Sequence, residues 1–468
     1  MSSSNKPVRV RFAPSPTGRT HLGSGRTALY NYLLARQTGG QFILRIEDTD
    51  QKRYVPGAEE ELIAGLRWLG LDWDEGPDVG GPYGPYRQTE RKELYQKYAR
   101  QLIETGHAYY CFCSRGEGIE TSQERHQHRE ICPDRNKPLD EADQLRELLA
   151  AKDQYSVIRF KMPDEGNITV TDNIRGDITV ENSTLDDYIL VKSNGLPVYH
   201  LAVVIDDHLM KITHAIRTSE WLPTFPLHGH IYKAFGWEQP IWVHPSIFLK
   251  PDGKGKMSKR DTEALLKEGK SIFLGDFKKM GYLPEAVVNW AALIGWGYDD
   301  KTEFFSLDEL IEKFSLKKLN PSPAAINFSK LDHFNGLHIR ALAPEDLAQR
   351  IKPFFEDAGY LVDDQDKLIQ IAAVLQVRLV TLREAPEKAG FFFQEKINPT
   401  LESLIGKKMT ASQSLEMAEA ILSLLKSLPD FNDETINQPL RDLAAAMGLK
   451  AGNVFGFLRN ATTAQKVS

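Results

Sequence analysis

A parallel α/β architecture followed by an all-α C-terminal region is predicted by three observations. A strand, a Gly/Pro-rich loop and a helix succeed one another from Pro7 to Gln37, and apolar residues recur at helical spacing from about Pro344 onward. The chain has 468 residues, more than one hydrophobic core usually organises, so three or more domains are expected. A hydrophobic fraction of 41% with 26% charged residues belongs to globular proteins, which sets aside disordered and membrane classes. No stretch is apolar for long enough to span a bilayer, and Met1 to Lys6 lack the apolar run of a secretory signal, so no membrane association and a cytoplasmic location are expected. A net charge of -6 does not advertise a nucleic-acid binder, so any such contact must come from local patches.

The first element is the strand Pro7 to Phe12, where strict alternation puts Val8, Val10 and Phe12 on one face. The loop Ala13 to Ser24 follows, and then a helix over Arg26 to Gln37. In a parallel sheet that order opens the loop at the carboxyl edge of the strand, beside helix-start N–H groups where a nucleotide phosphate binds. Gly23 would allow its close approach, and His21 can donate to it.

The next distinct stretch, with strand-like runs at Tyr155 to Met162 and Ile174 to Val180, interrupts the α/β pattern and reads as an inserted domain over 111–195. All three cysteines, Cys111, Cys113 and Cys132, cluster at its start, near His126 and His128. Two readings stay open: a structural zinc held by the three thiolates with His128 or His126, or three free thiols. Further on, Gly253 to Arg260 is a flexible loop that concentrates Lys254, Lys256, Lys259 and Arg260 around Met257 and Ser258. By itself such a run is a solvated face. The last part reads as helices, with Leu347, Ile351, Phe354 and Phe355 forming one stripe and Leu368, Ile371, Ala372, Leu375 and Leu379 the next.

Taken together, the loop at His21 resembles a variant of the H-I-G-H signature of class I aminoacyl-tRNA synthetases, and K-M-S-K-R from Lys256 resembles their K-M-S-K-S signature. Within that class the chain resembles the glutamyl-tRNA synthetases over nearly its whole length. The residues that carry this are R-F-A-P-S-P-T-G from Arg11, L-R-I-E-D-T-D from Leu44, W-L-G-L-D-W-D-E-G-P from Trp68, Y-H-L-A-V-V-I-D-D from Tyr199 and I-R-T-S-E-W from Ile216. The glutaminyl enzymes typically show an F-D-D-T-N-like segment where this chain has I-E-D-T-D, which favours glutamate.

The resemblance implies a Rossmann-like class I catalytic domain in two parts, 1–110 and 196–241, split by an acceptor-binding α/β insertion at 111–195. A stem-contact domain at 242–335 with the K-M-S-K-R loop and an all-α anticodon-binding region at 336–468 would follow. It implies ATP and Mg2+ as cofactors, with Zn2+ left open, and L-glutamate and tRNA(Glu) as partners of a monomer. Carried over residue by residue, Arg11, Ala13, Ser15, Glu47, Tyr199, Arg217 and Trp221 resemble the glutamate pocket. Pro14, His21, Gly23, Met257, Ser258 and Lys259 resemble the ATP site, with His21, Lys256 and Lys259 as catalytic residues. A substrate with two carboxylates and one ammonium asks for guanidinium and carboxylate partners, which Arg11 and Arg217 on one side and Glu47 on the other would supply.

Several positions depart from the family. Ser24 stands where Gly, His or Asn is more usual and is given a backbone role, and Thr218-Ser219 separate Arg217 from Glu220. Cys132 is followed by Pro133 and Asp134 rather than by a histidine or tyrosine ligand. Gln376 aligns with a position where members that discriminate between tRNAs carry Arg, which reads a base through a planar pair of donors. This predicts a relaxed enzyme that also charges tRNA(Gln) with glutamate. The sequence stops at Ser468 where relatives usually continue, which reads as a truncation or a small last lobe. Two rival readings, a glutamyl-Q-type tRNA-modifying enzyme and a catalytically inactive tRNA-binding paralogue, are opposed by the helical C-terminal part and by the intact signature loops.

Overall fold

The structure is a computed structural model that describes residues 7–113, 128–151, 156–257, 259–406 and 408–465. It forms two compact units that divide between His338 and Ile339.

The first unit is built on a six-stranded sheet. Eleven strands occur among its described residues: β1 (Arg9–Phe12), β2 (Gln41–Leu44), β3 (Ala108–Cys111), β4 (Val157–Phe160), β5 (Asn167–Asp172), β6 (Gly176–Glu181), β7 (Ile189–Val191), β8 (His214–Ile216), β9 (Ile241–Val243), β10 (Phe248–Leu249) and β11 (Ala324–Ala325). The central sheet has the order β2-β1-β8-β9-β5-β6, parallel except for the last strand. Because β2 lies on one side of β1 and β8 on the other, the strand order reverses at β1. That opens a crevice beyond the carboxyl ends, the usual place for a ligand in such sheets. Val10 and Phe12 are buried as their alternation predicts, but Arg11 on the opposite face is buried too. A central parallel strand is covered on both faces, so its alternation does not alternate between core and water.

The helix after the first loop runs Leu22–Thr38, one turn longer at its start than the periodicity indicates. The reason is His21, whose Nδ1 accepts from the Gly23 N–H at 2.9 Å and caps the first turn, Gly23 and Ser24 notwithstanding. Gly39, at φ 63°, closes the other end in the left-handed conformation that favours glycine.

The stretch 111–195 contributes to two sheets. Strands β3, β4 and β7 form a small antiparallel sheet, whereas the hairpin β5-β6 pairs with β9 at Asp172↔Trp242 and extends the central sheet. Ile168 and Val170 are the buried face of that hairpin. The run read at Ile174 to Val180 overlaps β6, but β5 was not read, nor was its partner strand some seventy residues away.

Behind the crevice, the helix Tyr199–Leu209 carries Asp206 and Asp207, both fully buried. Asp206 accepts from Arg91 Nε at 2.8 Å, Gln88 Nε2 at 2.9 Å and the Tyr95 hydroxyl at 2.8 Å. Three donors from two consecutive elements thereby converge on one carboxylate.

The second unit is helical, with Pro344–Asp357, Gln365–Leu375, Ala411–Ser427, Asp433–Ala446 and Ala451–Thr463 as its longest helices. Leu347, Ile351 and Phe355 are buried, as are Leu368, Ile371, Ala372, Leu375 and Leu379, while Phe354 is half-buried at the edge of its stripe. Capping boxes at Thr410 and Asn432 fix two of the helix starts.

Removing Asp206 leaves Arg91 buried without its counter-charge, a loss of about 3–5 kcal/mol for a broken buried pair. Asp206→Ala should therefore shift the thermal unfolding transition of the catalytic unit markedly downward, read by circular dichroism, and an unchanged transition would refute this account of the anchor.

Candidate active site

The crevice at the switch point is a cavity of about 1050 Å³, at or above the upper end of the range for small-molecule sites and large enough for two ligands at once. Three carboxyl-edge segments line it. From β1, the loop after it and the following helix start come Arg11, Ala13, Pro14, Ser15, His21 and Gly23; from beyond β2 comes Glu47; from beyond β8 come Arg217 and Trp221, with Tyr199 opposite. Lys256 and Met257 also line it. Thus every residue that the sequence put in the two ligand sites lines one cavity, except Ser258, which lies outside the described residues, and Lys259. Lys259 opens the helix Lys259–Lys267, but its side chain also lies outside the described residues.

Buried charges organise the floor. Asp207 takes both Nε and Nη2 of Arg11, at 3.0 and 3.2 Å, and Nη1 of Arg45 at 2.8 Å. Burial alone would raise the Asp207 pKa, but Arg11 and Arg45 overcome it and hold the carboxyl below its ordinary range. Arg45 also reaches Glu47 at 3.1 Å. Glu47 is less well compensated, and burial pushes its pKa up to about 7 against the pull of Arg45 and Arg11. It is half-ionised near neutrality and open to a cation that would complete its charge balance.

Arg217 differs from Arg11 in kind. Among the described residues it meets no carboxylate; Nε donates to His244 Nε2 at 3.0 Å, Nη1 to the Tyr199 hydroxyl at 2.9 Å and Nη2 to His228 Nδ1 at 2.9 Å. The guanidinium also lies 4.7 Å from the Trp242 ring centre. Three of its five N–H groups are used, and its charge is unneutralised at the cavity wall. The sequence put Arg11 and Arg217 forward as equal carboxylate partners. Both line the cavity and each uses three N–H groups, Arg11 on Asp207 and Ile216 O; the difference is that Asp207 offsets the charge of Arg11, whereas Arg217 meets no carboxylate among the described residues. Beside it, Tyr199 and Trp221 stack at 4.0 Å between ring centres, an apolar wall.

At the other end, His21 sits at the start of the helix Leu22–Thr38, where the helix dipole favours anions, although the N–H groups of Leu22, Gly23, Ser24 and Gly25 are already spent on Ile272 O, His21 Nδ1 and His21 O. Its Nδ1 is an acceptor, so the neutral ring carries its proton on Nε2. Burial, and then the nearby Lys256, lower its pKa to about 4. Lys256 itself pairs with Glu220. Ser24 donates its backbone N–H to His21 O at 2.9 Å, consistent with its backbone role.

Sequence reasoning passed over Asp207, Arg45, His228, His244 and Glu220. Asp207, Arg45 and Glu220 fall inside quoted motif segments, but what they touch depends on contacts across the sheet. For His228 and His244 no local signal existed.

Away from the crevice, the thiols cluster as the metal reading requires. Cys111 Sγ is 3.4 Å from His128 Nε2 and 3.8 Å from Cys132 Sγ, and Cys113 Sγ is 3.7 Å from Cys132 Sγ. All four ligand atoms lie within 4.8 Å of one another. A tetrahedral zinc with ~2.3 Å bonds to sulfur has S···S edges of ~3.8 Å, so the set matches that cage. His128 and Cys132 are one helical turn apart, through Cys132 N to His128 O at 2.9 Å, which puts both on one side. His126 lies outside the described residues. In the helical unit, Gln376 turns its Nε2 onto the carbonyls of Ile339, Arg340 and Leu342, at 3.1, 3.3 and 2.6 Å.

Comparison with known proteins agrees with this geometry. The family described as tRNA synthetases class I (E and Q), catalytic domain, matches residues 7–333, and the family described as Anticodon binding domain matches 346–468. The chain is 44% identical to a glutamate–tRNA ligase of Dehalococcoides mccartyi, over 98% of its own length and 92% of that protein. It is 45% identical to one from a Roseiflexus species, over 99% and 92%. A crystal structure of a glutamate tRNA ligase from Elizabethkingia meningosepticum in complex with its amino acid is similar at a TM-score of 0.85 and 37% identity, covering 99% of this chain and 95% of that one.

His21 should stay neutral, with its proton on Nε2, from pH 8 down to about pH 5. Nitrogen-15 shifts of the imidazole would check this; a midpoint near the ordinary ~6.5 would contradict the burial argument.

Proposed function

We infer that this chain, which belongs to the class I tRNA synthetases for glutamate and glutamine, is a glutamate–tRNA ligase: it activates L-glutamate with ATP and passes it to the 3′-terminal adenosine of tRNA(Glu). The observation that carries the mechanism is the single cavity that joins an unneutralised arginine and a half-ionised carboxylate at one end to a helix start and Lys256 at the other. Glutamate has two carboxylates and one ammonium. Arg217 is suited to a carboxylate and Glu47 to the ammonium, with Arg11 fixed by Asp207 as a structural support for the loop at Ala13 and Ser15. Tyr199 and Trp221 would wall off the side chain from water.

The attacking group is the glutamate α-carboxylate, already ionised at neutral pH, so no general base is needed. Catalysis then rests on positioning and on stabilising charge at the α-phosphate. A neutral His21 donates from Nε2 to a phosphate oxygen, and the dipole of the helix that it caps favours the anion there. Lys256, with Lys259, would follow the leaving pyrophosphate. Mg2+, which the family uses with ATP, supplies further neutralisation of the phosphates. The helical unit matched as an anticodon-binding domain favours this activity over a tRNA-modifying enzyme built from the catalytic half alone.

Two finer readings belong to the proposal. A structural zinc would be held by Cys111, Cys113, His128 and Cys132, tying β3 to the helix His128–Ile131 beside it; the near-tetrahedral spacing supports it. Relaxed tRNA choice, with tRNA(Gln) also charged, is supported at Gln376, whose donors are spent on backbone carbonyls and which has no guanidinium to offer a base. A cytoplasmic site of action follows from the same role in translation, and no helix among the described residues is long and apolar enough to cross a membrane.

Purified protein, given ATP and labelled glutamate, should charge both tRNA(Glu) and tRNA(Gln). His21→Ala and Lys256→Ala should each slow charging by about a hundredfold or more, as for loss of a transition-state donor. Charging of tRNA(Glu) alone would discard the relaxed reading, and charging of neither would overturn the activity. Elemental analysis should find one zinc per chain, lost in Cys132→Ser; a metal-free wild-type protein purified without chelator would discard the zinc.

A further inference from the structure

We propose that Asp172, His244, His228 and His200 form a hydrogen-bond relay that positions Arg217, holding its guanidinium rigidly while leaving its charge for the substrate carboxylate. The relay crosses the carboxyl edge of the sheet. Asp172 ends β5, His244 follows β9 and Arg217 follows β8, so three neighbouring parallel strands deliver them side by side. On the far side of Arg217, His228 comes from the helix Phe225–Phe235 and His200 from the helix Tyr199–Leu209.

Every proton in the relay is determined by its neighbours. An arginine N–H can only donate, so His244 Nε2 and His228 Nδ1 must both be acceptors. The His244 proton is therefore on Nδ1, 2.7 Å from Asp172 Oδ2, and the His228 proton is on Nε2, 2.9 Å from His200 Nδ1. Asp172 is fixed in turn, since its Oδ1 accepts the N–H groups of Ile174 and Arg175 at 3.0 and 2.9 Å in the turn between β5 and β6. Burial and then the charge of Arg217 lower the pKa values of His200 and His244 to about 4, although Asp172 pulls His244 the other way, and the same two causes lower that of His228.

The relay does what a carboxylate in direct contact could not. A carboxylate at either imidazole position would fix the arginine equally well and cancel its charge, as Asp207 does for Arg11. Neutral imidazoles supply acceptors of defined direction without a counter-charge. Asp172, one ring removed from the guanidinium, selects the tautomer that His244 presents.

The proposal rests on Arg217 being the carboxylate-binding arginine, and the test separates the two ideas. In Asp172→Asn, Oδ1 can keep both turn contacts while an amide donor replaces Oδ2. His244 must then accept at Nδ1, its proton moves to Nε2, and a donor faces the Arg217 Nε–H. The expected result in tRNA charging is a rise in glutamate KM on the order of tenfold with ATP KM unchanged, in a protein that still unfolds cooperatively though at a somewhat lower temperature. The His244 Nδ1–H resonance should vanish in favour of Nε2–H. His244→Phe, which keeps a ring but has no acceptor, should raise glutamate KM in the same way. If Arg217→Lys raises glutamate KM but Asp172→Asn and His244→Phe do not, the relay is overturned and the pocket reading stands; if Arg217→Lys leaves glutamate KM unchanged, the pocket reading falls and the relay's role with it.

Discussion

The contact on which the crevice depends is Asp207 held between Arg11 and Arg45. It ties β1, the segment just past β2 and the helix Tyr199–Leu209 together at one buried point, directly beneath the cavity. Buried ion pairs are weak evidence for net stability, because desolvation offsets most of their attraction. Their effect here is on position. Two guanidiniums and two carboxylates, Glu47 included, can satisfy one another in few ways, so the strand ends cannot slide without leaving a buried charge unpaired. Asp206, one residue earlier on the same helix, repeats the device with Arg91 and Tyr95.

That arrangement sets the charge of the pocket. Arg11 and Arg45 are balanced by Asp207 and Glu47, so the floor contributes no net charge when Glu47 is ionised. Arg217 adds one positive charge with no carboxylate in contact. On the proposed reading, glutamate, with net charge of minus one, would balance the site, whereas glutamine, which is neutral overall, would leave it with one positive charge in excess. On that reading discrimination would follow from charge balance before any detail of shape, since an unbalanced buried charge costs more than a missing apolar contact.

What could be read from the sequence and what could not divide along the range of the interactions. The strand Arg9–Phe12, the helix after it and the stripes around Leu347 and Leu368 depend on neighbours in the chain, and periodicity exposed them. The cavity residues were reachable because two short loops, at His21 and at Lys256, resemble a known pair. The early start of the helix at Leu22 was missed because a histidine cap is a weaker signal than Ser or Asp. The joining of β5-β6 to β9, the pairing of Arg11 with Asp207 and the turning of Gln376 onto backbone carbonyls are long-range facts. A residue type fixes what a side chain can bond, and only the fold fixes which partner arrives.

In the proposed mechanism, a neutral histidine and a loosely paired lysine make a workable combination at the His21 end of the cavity. A protonated His21 would attract ATP strongly in the ground state, and that attraction would be felt equally by the substrate and by the transition state. A neutral Nε2–H donor gives direction with little ground-state hold, and so can favour the geometry in which the α-phosphate is attacked. The mobile charge is left to Lys256. Its partner Glu220 is exposed, as it is, and an exposed ion pair of this kind is worth about 0–1 kcal/mol. Exchanging Glu220 for a pyrophosphate oxygen, as the proposal has it, would therefore cost little, and the full electrostatic gain would come only where charge accumulates on the leaving group.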